Sequence, residues 1–296
     1  MKLAVVIVSY NTKELLKNCL RSIYEKKWTN NIEVVVVDNG STDGSGEMVK
    51  HDFPKVKFIQ QGYNSGFTVA NNAGIKSVDA DYYLLLNSDT EVFEGSLDKL
   101  VKFASEGNYG VASCELVYAD DSFQANAGEL PTLFPMFAWL SGLDDILGKL
   151  FVFSSYQARD PRYYQKDREV GWVSGAAELI SRKVISKIGI LDENIFMYGD
   201  DVEYCLRAKK AGFKVGWTRQ AKIMHLGGKS WSSPKYNQWK GEFKGLLYIY
   251  RKFYGNLAAF GLRILIYIFT LIRSAAFLIL GKFEFSRTYA KVIFNI

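Results

Sequence analysis

Apolar residues recur at two periods along the first hundred positions, and the two periods alternate. Residues 3–9 (LAVVIVS) form an apolar run that stops at polar side chains, as a strand buried on both faces does. Residues 12–24 follow with Leu15, Leu16, Cys19, Leu20 and Ile23 at helical spacing, behind Thr12 as a candidate cap. Residues 33–37 (EVVVV) carry an unbroken β-branched run, and 55–60 (KVKFIQ) alternate like a more exposed strand. Helical spacing returns over 68–76 and 95–105, on either side of a buried run at 82–86. Strand–helix units repeated in this way predict a largely parallel sheet with helices on both faces.

From about residue 118 to 168 the periodicity fades. This stretch is rich in aromatics, holds Pro131, Pro135 and Pro161, and has one helical pattern near 136–150. A long, weakly patterned insertion in a compact domain reads as a binding loop or lid. Pattern returns over 171–182, and over 201–211, where Val202, Cys205, Leu206 and Ala208 share a helix side. A short strand at 214–218 and an apolar run at 221–224 lead into His225.

Residues 257–280 change character again, with 24 positions whose only charges are Arg263 and Arg273. That length is enough to span a hydrocarbon core. An arginine near the centre of a span costs roughly 2.5–3.5 kcal/mol, however. At about 100° per residue the two lie about 80° apart, so both fit one face of a helix. Tyr248, Tyr250, Tyr254, Arg251 and Lys252 precede them, as expected of a headgroup boundary. The pattern favours an amphipathic helix in the membrane plane over a single span, with a core helix as the remaining alternative.

Composition narrows the class. At 48% hydrophobic and 15% aromatic the 296-residue chain is a packed protein. It divides into an expected catalytic domain over 1–240 and a basic, apolar helical region over 241–296. Cys19, Cys114 and Cys205 lie far apart without a CxxC, which argues against a disulfide framework or a zinc–thiolate site and fits a reducing compartment. The opening MKLAVVIVSYN turns polar too soon for a signal peptide and reads as a first strand. Residues 241–296 hold eight Lys and Arg against Glu242 and Glu284, which is the whole of the net charge of +6. A basic tail on a neutral body points to an anionic surface as its partner, and the apolar character of the tail disfavours nucleic acid.

Several chemistries are excluded by missing motifs. No GxGxxG follows the first strand, where Ser9, Tyr10, Asn11 and Thr12 stand instead, and there is no GxxxxGK[ST] or GxSxG. What remains is acidic. Asp38 ends VVVVD; as a carboxylate it only accepts hydrogen bonds, so it suits the imide N–H of uracil or thymine, or it caps a helix within DNGSTDGS. Asp89, two positions past Asn87, is an oxygen ligand for a divalent cation bridging to phosphates. His225 reaches the same edge as a ligand or is structural; imidazole beside oxygen ligands leans toward Mn2+ over Mg2+. The adjacent Asp200 and Asp201 open a helix, where one is poised as a general base or both simply favour the helix N-terminus.

Taken together, VVIVSYNTKELLKNCLRSI, VVVVDNGSTDGS, GYNSGFTVANNAGI, YYLLLNSDTEV, the run from Trp172 through GAAELIS to MYGDDVEYCLRAKKAGFKVGW, and MHLGGKS resemble glycosyltransferase family 2. These are inverting, nucleotide-sugar-dependent enzymes of the GT-A fold, a Rossmann-like α/β architecture, and the rhamnosyltransferase-like branch is the most similar. The segments cover most of residues 3–230. Two departures stand out: the family's DxD is Asn87-Ser88-Asp89, and its Glu-Asp pair is Asp200-Asp201.

The resemblance implies that Ser9, Tyr10 and Asp38 hold base and ribose, and that Asn64 and Gly66 line the donor pocket. Asn87, Ser88 and Asp89 would hold ribose and the metal–diphosphate, with His225 beside them. Trp172 and Gly175 would sit near sugar and acceptor, Asp201 would be the base, Asp200 would help place the acceptor, and Lys229 and Ser230 would assist on a closing loop. It further implies transfer from dTDP-rhamnose, or next a UDP-sugar, to a glycan acceptor, lipid-linked, in cell-surface polysaccharide synthesis. The setting would be the cytoplasmic membrane face, with Mn2+ or Mg2+ and with homo-oligomerisation left open. The competing classes are a nucleotidyltransferase of related fold and a non-catalytic membrane-bound nucleotide-sugar binder.

Overall fold

The computed structural model describes residues 1–227 and 236–296, so Lys229 and Ser230 lie outside the described residues. The chain opens β1 (Lys2–Ser9), α1 (Lys13–Tyr24), β2 (Asn31–Asp38), α2 (Ser45–Asp52), β3 (Lys57–Gln60), α3 (Phe67–Lys76) and β4 (Tyr82–Asn87). It continues through β5 (Thr90–Val92), α4 (Ser96–Glu106), β6 (Tyr109–Val117), β7 (Phe123–Gln124), β8 (Ala127–Gly128), α5 (Leu133–Ser141) and α6 (Leu143–Leu150). Then come β9 (Arg168–Glu169), β10 (Trp172–Val173), β11 (Ala177–Ser181), α7 (Arg182–Ile188), α8 (Asp200–Lys210) and β12 (Lys214–His225). Helices α9 (Tyr236–Tyr254), α10 (Asn256–Ile279) and α11 (Phe283–Ile293) close the chain.

The main sheet runs β3-β2-β1-β4-β11-β6-β12-β5. The first four strands are parallel, and their register brings Ser9 opposite Asp38, Asp38 opposite Gln60, and Val8 opposite Asn87. Strand β11 is antiparallel to both β4 and β6, and β12 is parallel to β6, so β12 points the same way as β4. The carboxyl ends of β1, β2, β4 and β12 therefore share one edge with the amino end of β11. This mixed α/β arrangement is the expected GT-A-type fold.

Strand residues alternate between two cores. Val6, Val35, Val37 and Leu85 face α3, α8, α9 and α10, while Val5, Ile7, Val36 and Leu84 face α1, α2 and α4. Because both faces of the central parallel sheet are covered, successive residues enter opposite cores and the runs stay apolar throughout.

Several sequence expectations are revised. Strand β6 and helix α2 gave no clear signal, yet β6 is central to the sheet. The segments at 214–218 and 221–224 are one strand, interrupted by a register shift between Thr218 and Lys222. The single helix near 136–150 is two helices, broken at Gly142, whose φ of +74° suits glycine. Thr12 makes no side-chain cap; its hydroxyl donates to Ser88 Oγ (3.0 Å) and meets Ser9 Oγ (3.0 Å), tying the ends of β1 and β4 together.

The boundary expected at residue 240 falls inside α9. That helix buries Phe243, Leu246, Leu247, Ile249 and Tyr250 in the core of the main body. Tyr248 and Tyr250 are accordingly packing residues rather than a headgroup belt: Tyr248 donates to Asp192 (2.6 Å) and Tyr250 is fully buried. Lys252 bridges Asp192 (2.5 Å) and the buried Glu203 (2.7 Å). The chain turns from α9 into α10 at Gly255, whose φ is +89°.

Candidate active site

Most residues singled out from the sequence converge on the shared sheet edge. Asp38 is 1% exposed: its Oδ2 accepts the Ser41 N–H at 3.2 Å, while its Oδ1 is buried with no partner. Helix α2 starts seven residues later behind Gly44, so Asp38 does not cap it. A buried acceptor without a donor is costly, and in native proteins it commonly awaits a ligand or water. Ser9 is buried next to it in register, and Tyr10 stands exposed beyond the strand end.

Asn39 was missed by the sequence reading and ties this edge together. Its Oδ1 accepts from the Ser65 amide (2.9 Å), and its Nδ2 donates to Asn64 Oδ1 (2.9 Å) and Gly66 O (3.2 Å). Gly66, at φ +90°, permits a close crossing: a Cβ there would lie 2.8 Å from the Phe196 carbonyl oxygen. The same crossing is held by Phe67 N–H to Phe196 O (2.8 Å) and by the Thr68 hydroxyl to Ile195 O (2.6 Å). Asn64 and Gly66 thus join the β2 edge to the segment that leads into α8, and Phe196 remains exposed beside them. An aromatic four residues ahead of the acid pair was the available signal.

Asp89 and His225 face each other, with Nε2 3.3 Å from Asp89 Oδ1 and 3.3 Å from Asn87 Nδ2. His225 Nδ1 lies 2.7 Å from Gln124 Oε1, which can only accept, so Nδ1 carries a hydrogen there. In the neutral ring this tautomer leaves the Nε2 lone pair directed at Asp89 Oδ1, and a cation held by both atoms would satisfy the two together. A Gln that fixes the tautomer from behind is the support that metal-binding imidazoles usually have. Among the described residues no group of three or more His, Cys, Asp or Glu forms a ready-made cage. A divalent cation at this pair would therefore take its further oxygens from diphosphate or water, as Mg2+ and Mn2+ habitually do. The donor set fits such a cation.

Asp200 and Asp201 form the first turn of α8, behind Gly199 at φ +86°. Asp201 Oδ2 accepts the Gly175 N–H (3.1 Å) and Oδ1 the Val202 N–H (2.8 Å). Ala176, the next residue, gives its carbonyl to the Asn87 N–H (3.0 Å), so the acid pair adjoins the β4 end. Burial raises both carboxyls above the usual range, and the charge of Asp201 raises Asp200 further. Glu178 on β11 was not anticipated: it is 1% exposed, lies 3.6 Å from Cys205 Sγ, and is pushed well up by burial and by Asp201 and Asp200. A glutamate inside the apolar run GAAELIS was the signal for it. Trp172 lies behind this layer, 7% exposed, stacked on Tyr156 and donating its indole N–H to Tyr156 O (2.6 Å). It shapes the wall through packing, with no polar group left to offer.

The turn that launches the acid pair is itself clamped. Tyr198 adopts φ +69°, unusual for a tyrosine, and α9 meets it with two glycines. A Cβ on Gly245 would lie 2.5 Å from the Tyr198 carbonyl oxygen, and one on Gly241 2.5 Å from the Tyr198 ring. Helix α9, read from the sequence as partly tail, is thus a supporting wall of the site.

Known proteins resemble the chain in sequence and in fold. The sequence model described as Glycosyl transferase family 2 matches residues 4–189. The N-acetylglucosaminyl-diphospho-decaprenol L-rhamnosyltransferase of Mycobacterium tuberculosis is 29% identical over 238 residues, covering 75% of each chain. The low-salt glycan biosynthesis hexosyltransferase Agl10 of Haloferax volcanii is 26% identical over 75% of this chain and 66% of its own. In fold, a mannosyltransferase from Pyrobaculum calidifontis solved with GDP-Man and Mn2+ superposes at TM-score 0.59, with 15% identity, over 98% of this chain and 73% of that one. GalNAc-T7 with UDP, GalNAc and Mn2+ gives TM-score 0.60 with 16% identity, over 85% and 48%. With its family match spanning well over half its length on a sheet of this order, the chain belongs to glycosyltransferase family 2.

Proposed function

We propose that the protein is an inverting, divalent-cation-assisted glycosyltransferase. Its donor is a nucleoside-diphosphate sugar, dTDP-rhamnose first and a UDP-sugar second, and its acceptor is a hydroxyl of a lipid-linked glycan at the cytoplasmic membrane face. The carrying observation is the Asp89–His225 pair, turned toward each other at the strand edge that also holds the partnerless Asp38 oxygen. The name of the mycobacterial relative, a rhamnosyltransferase acting on a lipid-linked diphosphate, supports the donor and acceptor classes.

In this reading Asp38 Oδ1 accepts the base imide N–H, with Ser9 and Tyr10 beside base and ribose, and Asn64 and Gly66 close the donor pocket. Asn87 and Ser88 flank the ribose and diphosphate, and Asp89 with His225 would hold the cation. The bound cation would supply Lewis-acid neutralisation of charge growing on the leaving diphosphate. Asp201 takes the proton from the acceptor hydroxyl as its oxygen attacks the anomeric carbon opposite the leaving group, inverting that centre. The Gly175 N–H keeps Asp201 oriented, and Asp200 places the acceptor beside it. Lys229 and Ser230 keep their proposed assisting role. The catalytic unit extends to Tyr254, and α10–α11 form the membrane-associating part.

Two measurements test this reading. Competition binding is expected to rank dTDP and UDP above CDP, because cytosine N3 is itself an acceptor, and Asp38→Ala should erase most of that difference. A preference for CDP overturns the Asp38 assignment. Asp89→Ala and His225→Ala should each abolish the tightening of nucleoside-diphosphate binding by Mn2+ while the protein stays folded by circular dichroism. Wild-type Mn2+ dependence in His225→Ala would make that histidine purely structural.

A further inference from the structure

Helix α10 presents two unlike sides. Ala259, Leu262, Ile266 and Thr270 are buried against the body, whereas Leu257, Phe260, Ile264, Ile268, Leu271 and Ile279 are exposed along one stripe. Arg263 and Arg273 lie on or beside the buried side and not on an outward polar face. Arg273 donates to the Trp139 and Leu140 carbonyls (3.1 and 2.9 Å), satisfying the C-terminal end of α5. The outward stripe of α10 is therefore free of charge.

The insertion between β8 and β9 continues that surface. Helices α5 and α6 and the turn after them expose Leu133, Phe134, Phe137, Ile146, Leu150 and Phe151. The Phe137 ring, 41% exposed, packs edge-on against Phe269 of α10 at 5.7 Å, which forms the seam between the two parts. Phe153 joins the far end, touching both Phe134 (6.3 Å) and Phe151 (6.1 Å). An exposed apolar surface this extended is unusual for a soluble monomer and marks an interaction face.

We infer that α5–α6 and α10 together form one bilayer-seating face, so that the insertion as well as the tail enters the interface of an anionic membrane. This rests on the membrane reading above and extends it to a segment distant in sequence. Charge selects the occupant. Exposed Lys149 belongs to α6, and exposed Lys282, Arg287 and Lys291 lie at or on α11, the helix packed on α10, against Glu284 and an Asp145 already paired with Arg159 (3.6 Å). A second copy would bring these cations against themselves, while an anionic leaflet complements them. The body packed along α10 also fits a helix lying in the plane, with lipid on one side and protein on the other.

Cys19, Cys114 and Cys205 are all buried, so a single introduced cysteine can be labelled selectively in the full-length protein. An environment-sensitive fluorophore would be attached in turn at Leu150→Cys on α6, Ile268→Cys on α10 and Lys102→Cys on α4, which covers the opposite face of the sheet. On adding phosphatidylglycerol–phosphatidylethanolamine vesicles, the probes at 150 and 268 should both shift to the blue and be quenched by acyl-chain quenchers, and the probe at 102 should do neither. In flotation, Phe134→Glu with Leu150→Glu should weaken vesicle partitioning by about tenfold or more. A response at 268 without one at 150 overturns the two-part face while leaving tail association standing. Silence at both positions removes the membrane reading as well. A blue shift at 150 that follows protein concentration without lipid would assign the face to a second copy and also overturn the inference.

Discussion

Asp201→Asn is expected to abolish transfer while nucleotide binding stays close to wild type. The amide is nearly isosteric with the carboxylate and retains an acceptor for the Gly175 N–H, but it cannot take the hydroxyl proton. Loss of a positioned base commonly costs about 10²–10⁴-fold in rate, so nucleoside-diphosphate release should fall by at least 10²-fold on that basis. Calorimetry should give similar dTDP or UDP affinity for both forms. More than about a tenth of wild-type turnover would remove Asp201 from the base role.

The pH profile adds a signature with a definite sign. The base works only when ionised, and the fold raises both carboxyls by burial, with Asp200 raised further by the charge of Asp201. The pair titrates jointly, so the acid limb of kcat/KM should lie above the range of an ordinary aspartate. Asp200→Asn leaves Asp201 to titrate alone, so the acid limb should become a single-group step that still lies above the ordinary aspartate range because Asp201 stays buried.

The second large effect is expected far from any substrate. Gly245→Ala places a methyl group 2.5 Å from the Tyr198 carbonyl oxygen, a backbone atom in an already unusual conformation. Alanine favours a helix by about 1 kcal/mol over glycine, so α9 itself should form at least as well. What must give is the Tyr198–Gly199 turn, and with it the acid pair. A misplacement on the order of 1 Å can cost about 10²-fold, so turnover should drop by that order with nucleotide affinity retained. Gly261→Ala on α10, where a Cβ meets nothing within 4 Å, is the matched control and should be silent. Wild-type turnover in Gly245→Ala would mean that α9 does not position the site.

How much of this was legible beforehand depended on whether a signal was local. The parallel strands announced themselves because burial on both faces forces unbroken apolar runs, and their polar terminations at Asp38 and Asn87 marked the functional edge. Asp89, His225, Asp200 and Asp201 could be chosen from residue type and family resemblance, and the structure brings them to that edge or next to it. Asn39 and Glu178 escaped notice because their importance lies in partners distant in sequence, the 64–66 loop for one and the acid pair for the other. Trp172 drew attention as an aromatic in a family motif, yet its indole N–H is already committed to Tyr156.

The chain alone determined that strands and helices alternate, that acids end the buried runs, and that an apolar, basic segment closes the sequence. Each follows from periodicity or composition, which neighbouring residues carry among themselves. Only the tertiary structure decided that β11 runs antiparallel between β4 and β6, delivering Gly175 to the edge where Asp201 waits. The same holds for α9, which a composition boundary at 240 would cut in two but whose glycines and Lys252 lock it to the body. Arg263 and Arg273 make the point most plainly. Their angular spacing was readable from the sequence, but which side of the helix meets protein is set by the surfaces that pack against it, and these come from α5, α9 and α11.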